Sequence, residues 1–284
     1  MTIHARVAAG REQLRQARIS ASESTLDARL LAQHALGWTT ERFLTDANGP
    51  EPDGFAERFG SLVARRATRE PLAYITGRRE FWGLDFEVSP AVLIPRPSTE
   101  LIVETVLELF RGAATPLALA DVCTGCGCVA IAIAHERHAA RVVATDISPE
   151  ALEVARRNAA RHGVGDRVAF ARADLLRGVD GPFDVIAANP PYVVDGARPA
   201  LQPEVRDYEP DVALFGGDDG LGLITRLIEE APSRLRPGGN LIFEFGLGQD
   251  VEIEQLIEDA PAFRLIELRR DLQGIARTAV VRRT

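Results

Sequence analysis

The spacing of apolar residues divides the chain into a helical part and a part in which strands and helices alternate. Apolar residues recur at helical intervals through residues 1–74, which predicts a small bundle of helices. From Trp82 to Val88 every second residue is apolar, and this is the period of a β-strand. We therefore expect the first 74 residues to form a unit of their own, followed by a short segment that forms strands.

A second change of pattern follows two prolines. Pro95 and Pro97 exclude a central strand because neither has a backbone N–H to donate. Ser98 or Thr99 is then placed to cap a helix, and beyond residue 116 apolar strand segments alternate with amphipathic helices. The predicted strands cover residues 117–122, 141–147, 168–174, 183–188, 240–245 and, on either side of a turn, 263–283. This alternation predicts an α/β fold with a mostly parallel sheet covered on both faces.

Composition and charge limit the classes of protein to which this chain can belong. The hydrophobic fraction of 46% over 284 residues is enough for a buried core, and no apolar run reaches the roughly 18 residues that a membrane span needs. The first residues turn polar at once, without the apolar stretch of a signal peptide, so a cytoplasmic location is expected. The formal net charge is −8, whereas proteins that grip nucleic-acid phosphates usually carry a basic face. Direct binding of nucleic acid is therefore not expected.

A glycine-containing loop, residues 121–128, joins the first strand of the alternating region to its helix. Gly125 and Gly127 allow the backbone to turn tightly and to approach a ligand closely. Asp146 ends the next strand and is suited to accept both hydroxyls of a ribose, and Asp174 ends the third strand, near the expected place of an adenine. Because the carboxyl ends of neighbouring parallel strands meet in one crevice, these residues predict a nucleotide-binding site.

The loop alone leaves the identity of the nucleotide open. Residues 125–130 also match the dinucleotide-binding pattern with alanine in the third position, so an NAD site and plain turn glycines are alternatives. Asp121 favours S-adenosyl-L-methionine, because an acid just before the loop repels a pyrophosphate but suits the cationic methionine end of this methyl donor.

The three cysteines of the chain, Cys123, Cys126 and Cys128, offer a competing interpretation. With His135 and His138 nearby they could supply zinc ligands, but they occupy the tight turn itself, and the sequence has no second cysteine pair. We therefore expect no metal and interpret the cysteines as small, polarisable residues that fill the loop.

The segment Asn189–Tyr192 reads Asn-Pro-Pro-Tyr and ends the fourth strand, at the same edge of the sheet as the glycine loop. An amide or ring-amino nitrogen is a poor nucleophile, so a catalyst must hold its N–H groups and present the nitrogen to the methyl group. The side-chain oxygen of Asn189 and the backbone carbonyl of Pro190 are suited to accept from those N–H groups. Pro190 and Pro191 stiffen the segment, and Tyr192 offers a flat face for stacking. The motif predicts methyl transfer to a planar nitrogen, with a proline loop that only ends a strand as the structural alternative.

Further segments join these motifs in a resemblance that covers nearly the whole chain. They are Pro71–Gly77, Glu80–Phe86, Val92–Pro97 with Thr99 and Glu100, the glycine loop, Asn189–Tyr192 and Leu235–Gly239. On these segments the chain resembles the HemK-type, PrmC-like family of N5-glutamine methyltransferases, which modify the Gly-Gly-Gln glutamine of class I peptide-chain release factors.

The resemblance implies a fold, a domain organisation and a set of roles. The fold is a seven-stranded, Rossmann-like class I methyltransferase domain at residues 98–284, preceded by a substrate-recognising helical bundle at 1–74 and a β-hairpin hinge at 75–97. The cofactor is S-adenosyl-L-methionine, converted to S-adenosyl-L-homocysteine, and the partner is a class I release factor. The catalytic residues are Asn189, Pro190 and Tyr192, which with Pro191 also bind the substrate. The cofactor-binding residues are Asp121, Cys123, Thr124, Gly125, Cys126, Gly127, Asp146, Asp174 or Leu175, and Asn189. The oligomeric state stays open, with a monomer favoured.

Three positions depart from the family pattern. Cys123 stands where the family usually has glycine and adds bulk to the loop, Cys126 replaces serine or threonine, and Ser98 replaces aspartate. Two other substrates remain alternatives. One is a ribosomal protein, modified by a sister group that carries Val-Pro-Arg-Ser-Pro where this chain has Ile94–Pro97. The other is an adenine N6 in DNA or RNA, which poses the same chemical problem but fits poorly with the acidic charge.

Overall fold

Five helices fill the N-terminal part of the computed structural model, which describes residues 1–112 and 116–284. Their bounds are α1 (Ile3–Gln16), α2 (Ala21–Leu36), α3 (Thr40–Asp46), α4 (Phe55–Ala67) and α5 (Leu72–Thr76). Apolar side chains from these helices, among them Leu14, Leu31 and the stacked pair Phe55 and Phe59, form one buried cluster. The residues 1–78, together with 202–208 from much later in the chain, form the first of two compact units.

A short hairpin and a helix open the second unit, residues 79–201 and 209–284. The hairpin strands are β1 (Arg78–Phe81) and β2 (Leu84–Glu87), and α6 (Glu100–Leu109) follows a 3-10 turn at Pro97–Thr99. Thr99 takes the N-cap position of α6, as expected for one of the two residues, but its side chain makes no capping hydrogen bond. The hydroxyls of Ser98 and Thr99 instead donate to the side chain of Glu244, at 3.2 and 2.7 Å.

Seven strands form the sheet of the second unit. The remaining elements, in chain order, are β3 (Ala118–Val122), α7 (Cys128–Glu136), β4 (Arg141–Asp146), α8 (Pro149–Arg161), β5 (Val168–Arg172), β6 (Phe183–Ala188), α9 (Pro203–Tyr208), α10 (Gly222–Glu230), β7 (Leu235–Glu244), α11 (Asp250–Glu258), β8 (Phe263–Arg270) and β9 (Ala276–Arg283). The strand order is β5-β4-β3-β6-β7-β9-β8, in which β9 runs antiparallel to both of its neighbours and the other pairs are parallel. The predicted α/β class I methyltransferase fold is thereby confirmed.

The topology of the sheet determines where a site can form. Strand β3 pairs with β4 on one side and with β6 on the other. The chain first adds β4 and β5 on one side of β3 and then adds β6 and β7 on the other, so the point at which the strand order reverses lies between the neighbouring strands β3 and β6. In open α/β sheets a crevice opens beyond the carboxyl ends of the strands at such a point. Here the glycine loop follows β3 and Asn189 follows β6.

Helix α9 belongs to the first unit, although the residues before and after it in the sequence belong to the second. The carboxylate of Glu204 accepts from Arg66 at 2.9 Å and from Arg69 at 2.7 Å, and Arg66 also donates to Asp27 at 2.7 Å. The Arg66 side chain is almost fully buried in this cluster. Residues 202–208 are therefore held by ion pairs with the N-terminal helices of their own unit.

Within residues 1–112 and 116–284, no helix combines the length and the apolar character required to cross a membrane.

Candidate functional site

A cavity of about 310 Å³ lies at the carboxyl ends of the central strands, within the range of small-molecule sites. Most of the residues predicted to bind the donor line it. They are Asp121, Cys123, Thr124, Gly125, Cys126, Asp146, Asp174, Leu175 and Asn189, joined by Pro191 of the predicted acceptor motif. The cavity therefore brings the glycine loop and the Asn-Pro-Pro-Tyr segment into one space.

Three predicted site residues do not line this cavity. Gly127 has a φ of +85°, and a Cβ there would lie 2.9 Å from Ile131 Cδ1 and 3.1 Å from Ala155 Cβ. Its glycine is thus required by the turn and by the packing of the following helix. Pro190 and Tyr192 flank the cavity without lining it, Pro190 being buried and Tyr192 partly so.

The glycine loop is held by backbone hydrogen bonds. Thr124 N–H donates to the carbonyl of Thr145 on β4 at 2.9 Å, and Gly127 N–H donates to the carbonyl of Thr124 at 2.8 Å. Cys123 has a φ of +59° and Gly125 a φ of +56°, so both lie in the left-handed region. A residue with a side chain is strained in this conformation, whereas glycine is not. This explains why the family that the chain resembles usually has glycine at position 123.

Asp121 is a buried acid at the base of the loop, with 2% of its surface exposed. Its Oδ2 accepts from Thr124 Oγ1 at 2.6 Å and from the Ala130 N–H at 3.1 Å. Burial raises the pKa of Asp121 to about 7, and the two hydrogen bonds only partly oppose this effect. In the described residues no cation pairs with this carboxyl group, so a cationic ligand group would compensate a charge that the protein leaves uncompensated.

Asp146 ends β4 with both carboxylate oxygens oriented by backbone donors. Oδ2 accepts from the Gly125 N–H and Oδ1 from the Ser148 N–H, each at 2.9 Å. Burial raises the pKa of Asp146, and these hydrogen bonds lower it in part. A carboxylate has about four lone-pair sites, so these backbone bonds leave capacity to accept from a ligand hydroxyl.

Asp174 is paired with a cation that the sequence analysis did not identify. Arg226 of α10 donates to Asp174 Oδ2 at 2.8 Å, and Arg226 itself lines the cavity. The neighbouring Leu175 has a φ of +52°, and its carbonyl accepts from the hydroxyl of Thr145 at 3.1 Å. The partner of Asp174 lies 52 residues further along the chain, so no local pattern indicates it.

Asn189 belongs to a hydrogen-bonded network that ends at a buried acid. Its Nδ2 donates to Thr99 Oγ1 at 3.1 Å, and Thr99 donates to Glu244 Oε2 at 2.7 Å. Glu244 Oε1 accepts from the Tyr192 hydroxyl at 2.9 Å and from Ser98 at 3.2 Å. Neither Glu244 nor this role of Thr99 was predicted from the sequence. The sequence does contain an indication that Glu244 is special, because it is the one charged residue in the apolar run of residues 241–245.

Two of the three cysteines of the loop are buried, and Cys123 is partly exposed to the cavity. Cys126 and Cys128 are buried, and burial, with the nearby Asp146 and Asp121, raises the pKa of the Cys123 thiol. Among the residues that the structure describes, no three histidine, cysteine, aspartate or glutamate side chains are grouped so as to hold a metal ion.

Comparison with protein families assigns both parts of the chain. Residues 7–77 match the PrmC N-terminal domain, and residues 97–203 match the methyltransferase small domain. Among solved structures, a methyltransferase from Pyrococcus furiosus superposes with a TM-score of 0.55 at 22% identity, covering 78% of this chain and 98% of that one. The catalytic domain of hMettl16 gives a TM-score of 0.57 at 17% identity, over 78% of this chain and 81% of that one. At these identities the two structures support the fold.

Curated relatives match over almost the full length. The release factor glutamine methyltransferase of Bradyrhizobium diazoefficiens is 42% identical over 95% of this chain and 91% of its own. The protein of the same name from Nitratidesulfovibrio vulgaris is 41% identical over 96% and 92%. The resemblance found in the sequence motifs is confirmed, and the chain belongs to the family of release factor glutamine methyltransferases.

Proposed function

We propose that this protein transfers a methyl group from S-adenosyl-L-methionine to the side-chain amide N5 of a glutamine, the one in the Gly-Gly-Gln motif of class I release factors. The observation that carries the proposal is that Asn189, after β6, and the glycine loop, after β3, line the same cavity. Donor and acceptor residues thus share one space at the point where the sheet reverses its winding. The names and extents of the curated relatives support the substrate.

The cavity fits the donor by chemistry as well as by size. Asp121 supplies a buried, uncompensated acid for the cationic methionine end, and Asp146 supplies a bidentate acceptor for the ribose hydroxyls. Asp174, oriented by Arg226, and Leu175 lie on the remaining side, where the adenine would be held. When bound, S-adenosyl-L-methionine supplies the electrophilic methyl group.

The acceptor residues position a weak nucleophile. Asn189 Oδ1 and the carbonyl of Pro190 accept the two N–H groups of the glutamine amide, and the face of Tyr192 supports its plane. The side chain of Asn189 is held from behind by Thr99, and the ring of Tyr192 by its hydroxyl on Glu244. Orienting the nitrogen for in-line attack is the main task of these residues, and well-oriented reactions gain on the order of 7–11 kcal/mol.

The remaining parts of the chain take supporting roles in this proposal. The bundle of residues 1–74 recognises the release factor, residues 75–97 act as a hinge, and residues 98–284 carry the chemistry. The protein acts as a monomer in the cytoplasm, where release factors work.

The decisive experiment is mass spectrometry of a class I release factor after incubation with the protein and isotopically labelled donor. We expect one methyl group on the glutamine of the Gly-Gly-Gln motif, and none when that glutamine is replaced by alanine. Methylation of a ribosomal protein or of adenine in its place would refute the proposed substrate.

Asn189→Ala tests the proposed role of the amide side chain. We expect the single-turnover rate of methyl transfer to fall by a factor of about 10² or more, because one acceptor for the reacting group is lost. Donor affinity, measured separately by calorimetry, should stay nearly unchanged, since the donor is held mainly by the loop after β3. Transfer at the wild-type rate would show that Asn189 does not hold the glutamine.

A further inference from the structure

The carboxyl group of Glu244 is fully buried at the end of β7 and receives three hydroxyl groups. Thr99 approaches Oε2 at 2.7 Å, and Tyr192 and Ser98 approach Oε1 at 2.9 and 3.2 Å. Among the described residues no cation forms a direct ion pair with it, so these hydroxyls are its partners. Three O–H donors directed at one carboxyl group favour the form that only accepts.

The direction of each hydrogen bond follows from the number of protons available. The hydroxyl of Thr99 has one proton, and it lies on the bond to Glu244. Thr99 Oγ1 can then only accept from Asn189, and an amide offers a donor at Nδ2 but not at Oδ1. The contact of 3.1 Å between Asn189 and Thr99 is therefore a bond in which Nδ2 donates. With the amide turned by about 180°, Asn189 Oδ1 would face Thr99 Oγ1, and the lone pairs of the two oxygens would repel each other.

We propose that Thr99 is a positioning residue for methyl transfer, which, with its own proton held by Glu244, fixes the orientation of the Asn189 amide. The inference rests on the proposed function, in which Asn189 Oδ1 accepts from the glutamine amide. A reversed Asn189 would present N–H groups to the N–H groups of the substrate. Thr99 lines the same cavity as Asn189, yet it acts on the reaction through Asn189.

Of the two titratable neighbours, the Tyr192 phenol supports this arrangement, whereas burial of Glu244 opposes its ionised form. Burial raises the pKa of Glu244, and the hydrogen bonds from Thr99, Tyr192 and Ser98 together with the charge of Arg277 lower it in part. Burial, with the nearby charge of Glu244, also raises the pKa of the Tyr192 phenol. The phenol thus keeps its proton and donates to Glu244, which leaves Oε2 for Thr99.

The test uses an isosteric substitution with a matched control. Thr99→Val removes the hydroxyl at nearly constant volume, and Thr99→Ser keeps it. Thr278→Val makes the same change in another buried threonine, the one opposite Glu244 in the β7–β9 pair, whose hydroxyl has no hydrogen-bond partner in the described part of the chain. All variants are full-length, and their folding is checked by thermal unfolding.

The kinetic readout separates positioning from binding. For Thr99→Val we expect kcat to fall about tenfold, equal to ~1.4 kcal/mol, with donor affinity and the KM for release factor within about twofold of wild type. Thr99→Ser should recover most of the rate, and Thr278→Val should retain the wild-type rate. Wild-type kcat in Thr99→Val, or an equal loss in Thr278→Val, would overturn the inference.

A spectroscopic readout keeps the inference distinct from the proposed function. The side-chain NH₂ resonances of Asn189 in a nitrogen-15 NMR spectrum are assigned by their disappearance in Asn189→Ala. In Thr99→Val they should shift and exchange faster with solvent, while Thr278→Val leaves them in place. Unchanged resonances in Thr99→Val would overturn the inference even if release factor is methylated. If wild type methylates no release factor, the proposed function fails, and these resonances still decide whether Thr99 orients Asn189.

Discussion

The buried carboxyl group of Asp121 makes the stability of the protein depend on pH in an unusual direction. Burial raises its pKa from the ordinary 3.8 to about 7, against the hydrogen bonds from Thr124 and the Ala130 N–H. Between these two values the unfolded chain has released the proton while the folded protein still holds it. Because the folded state then binds more protons, the free energy of unfolding falls as the pH rises through this window.

The magnitude follows from the difference between the two pKa values. About three pKa units at ~1.4 kcal/mol each correspond to about 4 kcal/mol of stability lost between about pH 4 and about pH 7. Asp121→Asn removes this titration but keeps an oxygen that can accept from Thr124 and from the Ala130 N–H. We therefore expect the free energy of unfolding of the variant to be about 2–4 kcal/mol higher than that of wild type above about pH 7. Below about pH 4 the two values should be equal.

Chemical unfolding of the nucleotide-free proteins across this pH range measures the effect. The difference between variant and wild type reports Asp121 and its electrostatic coupling to Asp146, because both proteins share every other titrating group. Asp180→Asn is the matched control, since the same change is made in a side chain that is 97% exposed and should produce no such pH-dependent gain. A difference between Asp121→Asn and wild type that stays flat with pH would refute the reasoning.

The binding of S-adenosyl-L-homocysteine should depend on Asp121 with the opposite sign. The ammonium group of the ligand favours the ionised acid, so wild-type affinity should fall about tenfold per pH unit below about pH 7. Asp121→Asn should bind weakly at every pH, which calorimetry measures. A variant that is both more stable and equally tight in binding would show that Asp121 does not face the ligand.

Four further predictions concern other parts of the structure. Asp146→Ala should weaken donor binding by roughly 1–3 kcal/mol in calorimetry, because two acceptors are lost, and an unchanged affinity would contradict the ribose role. Tyr192→Phe keeps the ring but removes one donor to Glu244. It should slow methyl transfer by less than Asn189→Ala and lower the free energy of unfolding by about 1 kcal/mol. Glu204→Gln leaves the buried Arg66 with one fewer charge partner and should destabilise the N-terminal unit by about 1–3 kcal/mol in thermal unfolding. Elemental analysis of protein purified without chelators should find no stoichiometric zinc or iron, and one metal per chain that is lost in Cys126→Ser would contradict this.

The sequence predicted those features that depend on local patterns. The alternation of strands and helices beyond residue 116 located the sheet, and strands on either side of a turn were expected in the tail, where β8 and β9 lie. Asp121, Asp146 and Asn189 were placed at one edge because parallel strands end together, and all three line one cavity. Strand ends were less accurate, since the strand expected at 240–245 already begins at Leu235.

The features that the sequence did not predict depend on contacts between residues far apart in the chain. Ser98 and Thr99 have the composition of a helix cap, yet their partner is Glu244, about 145 residues away. A local pattern contains no information on such a partner, and the hydroxyl of a threonine serves either purpose. Helix α9 is a similar case, because its place with the N-terminal helices rests on Glu204 and on Arg66, which lies 138 residues earlier.

Three acids at the carboxyl ends of the strands, two buried and one partly buried, share the cost of removing a charge from water. Burial raises the pKa of Asp121 near the end of β3, of Asp146 at the end of β4 and of Glu244 at the end of β7. A sheet selected for stability alone would have apolar residues at such positions, because an uncompensated buried charge opposes folding. Asp121 and Asp146 lie where the methyl donor would bind, whereas the charge of Glu244 is compensated in part by the hydroxyls of Thr99, Tyr192 and Ser98. An acid at the end of an otherwise apolar strand is therefore a signal for a site in its own right, and in this chain it marks the donor side and the acceptor side alike.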